Sequence, residues 1–158
     1  AGNSSGINDG ASFVMLMSEE AVKKYNLKPL VEIVGIGQGG VDPQYMGLGP
    51  VAAIGDVMKR SGYKLKDMEV VELNEAFAAQ SLGVLKSLVE EHGVTLEELL
   101  KKTNIQGGAI ALGHPVGASG ARILVTLLHI MQRHDHKVGL ASLCIGGGMG
   151  TAVILKRI

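Results

Sequence analysis

One stretch, GGAIALGHPVGASGAR at positions 107–122, restricts the fold of this chain more than any other. Its apolar run, Ala109 to Leu112, leads into His114, which lies in a break made by glycine and proline. The small residues that follow open an apolar helix expected over 117–133. The pattern therefore predicts a histidine at a helix N-terminus, where the dipole disfavours the protonated ring and where glycine lets a ligand approach the backbone.

The composition fits a layered α/β domain and argues against a nucleic-acid or membrane partner. The 158 residues carry 15 Lys+Arg and 15 Asp+Glu, so the formal net charge is zero, and only 3% are aromatic. No apolar run reaches the roughly 18–20 residues of a membrane span. One cysteine, Cys144, forbids an internal disulfide and fits a reducing compartment. We expect a cytoplasmic protein; organellar targeting stays open, because the opening AGNSSGIND is an abrupt start for a natural N-terminus.

Apolar runs separated by turn residues predict five strands that alternate with helices. Strands are expected at 10–17, 30–38, 69–73, 137–143 and 151–156, and the principal helices at 51–61, 75–91 and 117–133. The alternation predicts mainly parallel pairing, whereas the last two strands, joined by a short glycine turn, should be antiparallel. We therefore expect one α/β domain over 1–158, with a mixed, mainly parallel five-stranded sheet and helices on both faces.

Three side chains near strand ends and helix starts each have a structural and a chemical interpretation. Asn74 either caps the next helix or holds a water or substrate oxygen at a strand end. His114 is either a turn residue or a neutral base, and Ser119 is a candidate helix cap. Cys144 is either a small buried group or a thiol ionised below its free value of about 8.5 beside the N–H groups of GGG. The other histidines lack acidic or cysteine partners, so no metal site is predicted.

Three blocks then occur in order: NEAF at 74–77, GHP at 113–115 and CIGGG at 144–148. With GNSSGINDGA near the start, VDPQYMGLGP and GASGAR, they resemble the C-terminal half of the thiolases, most closely the acetyl-CoA acetyltransferases, over essentially the whole chain. The resemblance implies two similar halves that build five layers. Residues 1–158 would be the C-terminal domain, without the N-terminal half that carries the acyl-accepting cysteine. Alone, this domain should expose a large apolar face, so we expect it to aggregate, to dimerise or to have been cut from a longer chain.

The implied activity is the reversible Claisen condensation of two acetyl-CoA to acetoacetyl-CoA plus CoA, which this chain would not perform alone. In the family, the histidine matching His114 activates the acyl-accepting cysteine. The cysteine matching Cys144 removes the α-proton of the second acetyl-CoA and returns a proton to the leaving thiol. His114, with a water held by Asn74, would form one oxyanion hole, and the backbone N–H of Gly146 would help form the other.

Four further residues are implied to bind substrate by family position. Ser5 should touch the pantetheine arm, and Met46, Ala76 and Phe77 should line a narrow acyl pocket. No cofactor is expected besides the coenzyme A thioester substrates, and the implied partners are acetyl-CoA, acetoacetyl-CoA, the chain's own N-terminal half and further copies in a homo-oligomer. The segment from 91 to 104 is longer than in compact members and is expected to form an extra surface helix without a known role.

Two alternatives stay open. One is a domain of a longer-chain 3-ketoacyl-CoA thiolase; the other is a non-catalytic acyl-CoA-binding or scaffold domain. The condensing enzymes of fatty-acid synthesis share the implied fold but usually use a His–His or His–Asn pattern, so Cys144 argues against them.

Overall fold

A computed structural model describes all residues 1–158 and contains one four-stranded sheet. Its strands are β1 (Val31–Gly40), β2 (Val70–Leu73), β3 (Val138–Ile145) and β4 (Met149–Arg157), in the order β1-β4-β3-β2. The β1–β4 and β3–β4 pairs are antiparallel, and the β2–β3 pair is parallel. The mixed sheet and the antiparallel last two strands are confirmed. The expectations of five strands and of mainly parallel pairing are wrong.

The prediction of mainly parallel pairing is wrong because of the order of the strands in the sheet, not because of their directions. The pairings make β1, β2 and β3 run the same way, as the alternation with helices predicts. However, the C-terminal strand β4 lies between β1 and β3 and runs against both. Only one of the three neighbouring pairs is therefore parallel.

The fifth expected strand, at 10–17, does not form. An extended segment becomes a strand only where a neighbour takes up its backbone hydrogen bonds, and this segment pairs with no strand of the chain. Its apolar run from Phe13 to Met17 is exposed, with Phe13 at 89% and Met15 at 83%.

Six α-helices surround the sheet, and none is long and apolar enough to cross a membrane. They are α1 (Glu19–Lys24), α2 (Gly49–Ser61), α3 (Ala78–His92), α4 (Leu96–Lys102), α5 (Ala109–Leu112) and α6 (Ser119–Arg133). Short 3-10 turns cover Pro43–Leu48, Leu65–Asp67 and Gly146–Gly148. Two helix starts differ from expectation: Phe77 and not Asn74 is the N-cap of α3, and Ala118 and not Ser119 is the N-cap of α6.

Helices cover both faces of the sheet, and each face has its own apolar cluster. On one face, α2, α3 and α4 pack against side chains such as Val71 and Leu140. On the other, α6 packs against side chains such as Val70 and Ala141. The alternation of Val70 and Val71 follows from the period of two along a strand. The expected extra helix at 91–104 is present as α4, and its Leu99, 1% exposed, joins the first cluster.

Candidate active site

The parallel strands β2 and β3 bring the ends of two predicted site segments to one edge of the sheet. Leu73, the last residue of β2, lies opposite Ser142 of β3. The N–H of Asn74 donates to the Ser142 carbonyl at 3.0 Å, which continues the pairing by one residue. Cys144 follows two residues later on β3. Asn74 and Cys144 therefore leave neighbouring strands at their carboxyl ends, where ligands bind in α/β sheets.

His114 contacts Asn74 across this edge. The short helix α5 ends at Gly113, whose φ of +98° suits glycine and redirects the chain into His114. The side-chain nitrogen Nδ2 of Asn74 lies 3.5 Å from His114 Nε2. Asn74 is 1% exposed, and its Oδ1 is buried without a partner in the chain. The amide thus holds the histidine with one end and presents an acceptor with the other.

Ser119 holds the opposite side of the imidazole. Its Oγ lies 2.6 Å from His114 Nδ1 and donates to the Pro115 carbonyl at 3.1 Å. A hydroxyl has one proton and two lone pairs, so an Oγ that donates to Pro115 accepts from Nδ1–H. Nε2 then carries the lone pair that the Asn74 amide meets. If the Ser119 hydroxyl donates to Nδ1 instead, the neutral ring carries its proton on Nε2.

The electrostatic surroundings keep His114 neutral. Burial, together with the positive charge of Arg122, lowers the pKa of His114 below its usual value. The neutral ring agrees with the expectation from the sequence, although the cause is desolvation and a cation.

Cys144 differs from expectation. The thiol is part-buried, and burial raises the pKa of Cys144 above its usual value. The expected ionisation below the free value is therefore not supported by this chain's own groups, because desolvation outweighs the backbone hydrogen bond that lowers the pKa.

Residues 3–8, which we call the N-terminal strap, lie across the start of α3 and reach His114. The N–H and the hydroxyl of Ser5 both donate to the Ala76 carbonyl, at 3.0 and 3.1 Å, and the Ala78 N–H donates to the Asn3 carbonyl at 2.9 Å. Further along the strap, the side chain of Asn8 accepts from the His114 N–H at 3.2 Å. Ser5 and Ala76 are thus in direct contact.

The remaining predicted residues lie on segments that touch this edge. The turn Pro43–Leu48, which carries a half-buried Met46, packs against both the turn Gly146–Gly148 and the start of α3. Phe77, immediately before α3, is 49% exposed, whereas Ala76 is buried. Gly146 directly follows β3 and is exposed. The structure therefore gathers all eight predicted residues around the ends of β2 and β3.

Sequence reasoning missed three contributors to this site. The sequence predicts Ser119 only as a helix cap, although its place five residues after His114 is a usable signal. Nothing in the sequence indicates that Asn8 contacts His114, because 106 positions separate the two residues. Arg122 lies in the GASGAR block, but its effect on His114 depends on tertiary structure. No group of three or more His, Cys, Asp or Glu side chains is placed to hold a metal ion.

Comparison with known proteins gives consistent matches over nearly the whole chain. Residues 27–157 match the family model described as thiolase, C-terminal domain. The chain is 52% identical to the acetyl-CoA acetyltransferase of Escherichia coli over 158 residues, which is 100% of this chain and 38% of that protein. It therefore spans little more than a third of the length of that curated relative.

Two solved structures extend the comparison to the fold. The acetyl-CoA acetyltransferase from Syntrophomonas wolfei superposes with a TM-score of 0.89 at 44% identity, covering 99% of this chain and 39% of that one. Human mitochondrial 3-ketoacyl-CoA thiolase, solved in complex with CoA, superposes with a TM-score of 0.84 at 43% identity, covering 99% of this chain and 38% of that one.

Proposed function

The chain belongs to the thiolase family, whose C-terminal domain it matches, and on that premise we propose that it is the C-terminal catalytic domain of an acetyl-CoA C-acetyltransferase. The whole enzyme joins two acetyl-CoA into acetoacetyl-CoA and releases CoA, and the reaction is reversible. The observation that carries the proposal is the contact of Asn74 with His114 at the sheet edge where β3 delivers Cys144.

The proposed reaction divides its steps between two domains. A cysteine of the N-terminal half gives its proton to His114 Nε2, attacks the thioester carbonyl of the first acetyl-CoA and expels CoA, which takes up the proton of the Cys144 thiol. The Cys144 thiolate then removes the α-proton of the second acetyl-CoA, while His114 still carries a proton on Nε2. The enolate carbon attacks the acetyl-enzyme, and the departing cysteine of the N-terminal half takes its proton back from His114.

Preplaced donors stabilise the charge that these steps create. The enolate oxygen is met by His114 and by a water held on the Asn74 Oδ1, which is buried without a partner in this chain. The backbone N–H of Gly146 meets the oxygen of the tetrahedral intermediate. Each donor of this kind is worth about 3–4 kcal/mol of transition-state stabilisation.

Substrate binding is assigned to the segments around this edge. Ser5, on the strap, meets the pantetheine arm. Met46, Ala76 and Phe77 enclose the acyl group, with the exposed Phe77 ring as the wall nearest the substrate. Coenzyme A thioesters are the substrates, and the reaction needs neither a metal nor another cofactor.

The missing partner is the N-terminal half of the enzyme. Apolar side chains are exposed between Phe13 and Met17, and Ile33 and Ile36 on β1 are exposed as well. Exposed apolar surface is typical of a protein–protein interface. The chain covers 38% of the Escherichia coli relative, and we propose that the other half of the enzyme covers these side chains. We place the complete enzyme in the cytoplasm as a homo-oligomer.

The test uses a chimera in which residues 1–158 replace the matching segment of the Escherichia coli relative; we refer to it as the chimera. It should condense acetyl-CoA, whereas Cys144→Ala and His114→Asn should each lower turnover by roughly 100- to 10,000-fold. His129→Asn, at an exposed histidine of α6, is the matched control and should leave turnover unchanged. Wild-type turnover in the Cys144→Ala chimera would refute the catalytic assignment and favour a non-catalytic acyl-CoA-binding domain.

A longer-chain 3-ketoacyl-CoA thiolase is the second candidate, because the human enzyme of that name superposes nearly as well. The two are separated by thiolysis of acetoacetyl-CoA against 3-ketoacyl-CoAs of increasing length. A higher kcat/KM for the longer substrates in the chimera would favour this second candidate.

A further inference from the structure

Asn104, at the end of the segment that contains α4, is hydrogen-bonded to the last residues of β2. Its N–H donates to the Val71 carbonyl at 2.9 Å. Its side chain accepts from the Leu73 N–H at 2.9 Å and donates to the Leu73 carbonyl at 2.8 Å. The Asn104 amide thus pairs with both backbone groups of Leu73, as a neighbouring strand would. It fixes the residue that immediately precedes Asn74.

The same amide also holds Glu75, which immediately follows Asn74. Asn104 Nδ2 donates to Glu75 Oε1 at 2.9 Å, and Glu75 Oε2 accepts from the Ile110 N–H at 3.3 Å. Ile110 belongs to α5, the helix that ends one residue before Gly113. A Cβ at Gly108 would overlap the Glu75 carboxylate, so only glycine leaves room for this contact.

Two series of contacts therefore start at Asn104. They end at Asn74 and at His114, whose side chains face each other. One passes through Leu73 to Asn74, and the other passes through Glu75 and α5 to His114. The distance from Asn74 Nδ2 to His114 Nε2 is 3.5 Å, which is at the long limit of a hydrogen bond. A displacement of a few tenths of an ångström at either end breaks this contact.

We propose that Asn104 and Glu75 are positioning residues that set the distance between Asn74 and His114 in the active site. The proposal rests on the function proposed above and adds residues with no contact to the reacting atoms. It also gives the segment 91–104 a role, because α4 anchors through Leu99 and delivers Asn104 to β2.

The test compares Glu75→Gln with Gly108→Ala in the chimera. Glutamine at 75 cannot accept from both Asn104 and Ile110, because one end of its amide is a donor. Alanine at 108 displaces the carboxylate without changing its chemistry. Both variants should lower kcat roughly tenfold or more with KM for acetyl-CoA unchanged. Glu90→Gln, at an exposed position of α3, is the control and should keep the parental kcat.

A second readout does not depend on turnover. Loss of the Asn74 contact should shift the ¹⁵N resonance of His114 Nε2 in chimera labelled at histidine, with the resonance of His129 as internal reference. Parental kcat in both variants, or an unmoved Nε2 resonance in folded Glu75→Gln, would overturn the proposal. A chimera that shows this shift but lacks condensing activity would instead refute the proposed function and leave the positioning role standing.

Discussion

Glu72 on β2 provides the strongest test of the electrostatics around the site. It is two residues before Asn74, is 1% exposed, and its Oε1 has no hydrogen-bond partner in the chain. Burial raises the pKa of Glu72 from 4.5 to about 7; the negative charge of Glu75 adds to this rise, and the positive charge of Arg122 opposes it. A carboxyl group whose pKa is raised by folding destabilises the folded state wherever it is ionised.

The size of this destabilisation and the pH range in which it develops follow from the pKa of Glu72 in the unfolded chain, 4.5, and in the folded protein, about 7. Between pH 4.5 and about 7 the folded protein binds more protons at Glu72 than the unfolded chain, so stability falls as pH rises through that window and is constant above it. At about 1.36 kcal/mol per pKa unit, the cost is about 1 kcal/mol at pH 5 and about 3 kcal/mol at pH 8.5.

The perturbation is Glu72→Gln, which keeps the shape of the neutral side chain and cannot ionise. Urea unfolding of the chimera, followed by far-UV circular dichroism, measures the free energy of unfolding of variant and parent at both pH values. The variant should gain about 2–3 kcal/mol more over its parent at pH 8.5 than at pH 5. Glu90→Gln, exposed and without an ion pair, should show the same difference from its parent at both values.

A gain that is equal at the two pH values would refute this reasoning. A loss of stability that is larger at pH 8.5 would refute it more strongly, because it would mean that Arg122 stabilises an ionised Glu72. A ¹³C NMR titration of the Glu72 carboxyl group checks the raised pKa directly.

Three further predictions address the base, the packing and the thiol. Ser119→Ala removes the partner of His114 Nδ1 and should lower kcat of the chimera roughly tenfold, with a change in tautomer visible in the ¹⁵N spectrum of the ring; an unchanged spectrum would contradict the role of the hydroxyl. Leu99→Ala should destabilise the domain by about 2–5 kcal/mol in urea unfolding, whereas Leu100→Ala, at a side chain that is 51% exposed, should cost far less; equal losses would contradict the buried anchor. Iodoacetamide should modify Cys144 in the isolated chain at a rate that still rises above pH 9, because its pKa is raised; a plateau near pH 7 would contradict this.

Local signals in the sequence pointed to the candidate site residues but not to the hydrogen bonds among them. His114, Asn74 and Cys144 each lie in a short block that can be read without knowing the fold. Their gathering at one edge was available only from the resemblance, since 40 positions separate Asn74 from His114. The roles and substrate contacts assigned to these residues stay predictions until the chimera is measured.

The errors in the fold have a common physical origin in partners distant along the chain. Alternation of strands and helices gives strand direction, but nothing in it reveals that β4 lies between β1 and β3. The N-cap predicted at Asn74 fails because the backbone of Ala76 and Ala78 is hydrogen-bonded to the strap, so α3 begins only at Ala78. Ser119 fails as a cap because its hydroxyl is engaged by His114 and Pro115.

The strap has a consequence for an experiment that expresses the two halves of the proposed enzyme as separate pieces. Its residues pair with the backbone around Phe77 and accept from the His114 N–H, so in the structure they belong to the C-terminal piece. A split placed between Asn8 and Phe13 would leave the strap on the N-terminal piece. Complementation would then require the strap to bind again to the start of α3 and to His114. A split upstream of residue 3 leaves the strap covalently attached and should reassemble at lower concentrations of the two pieces.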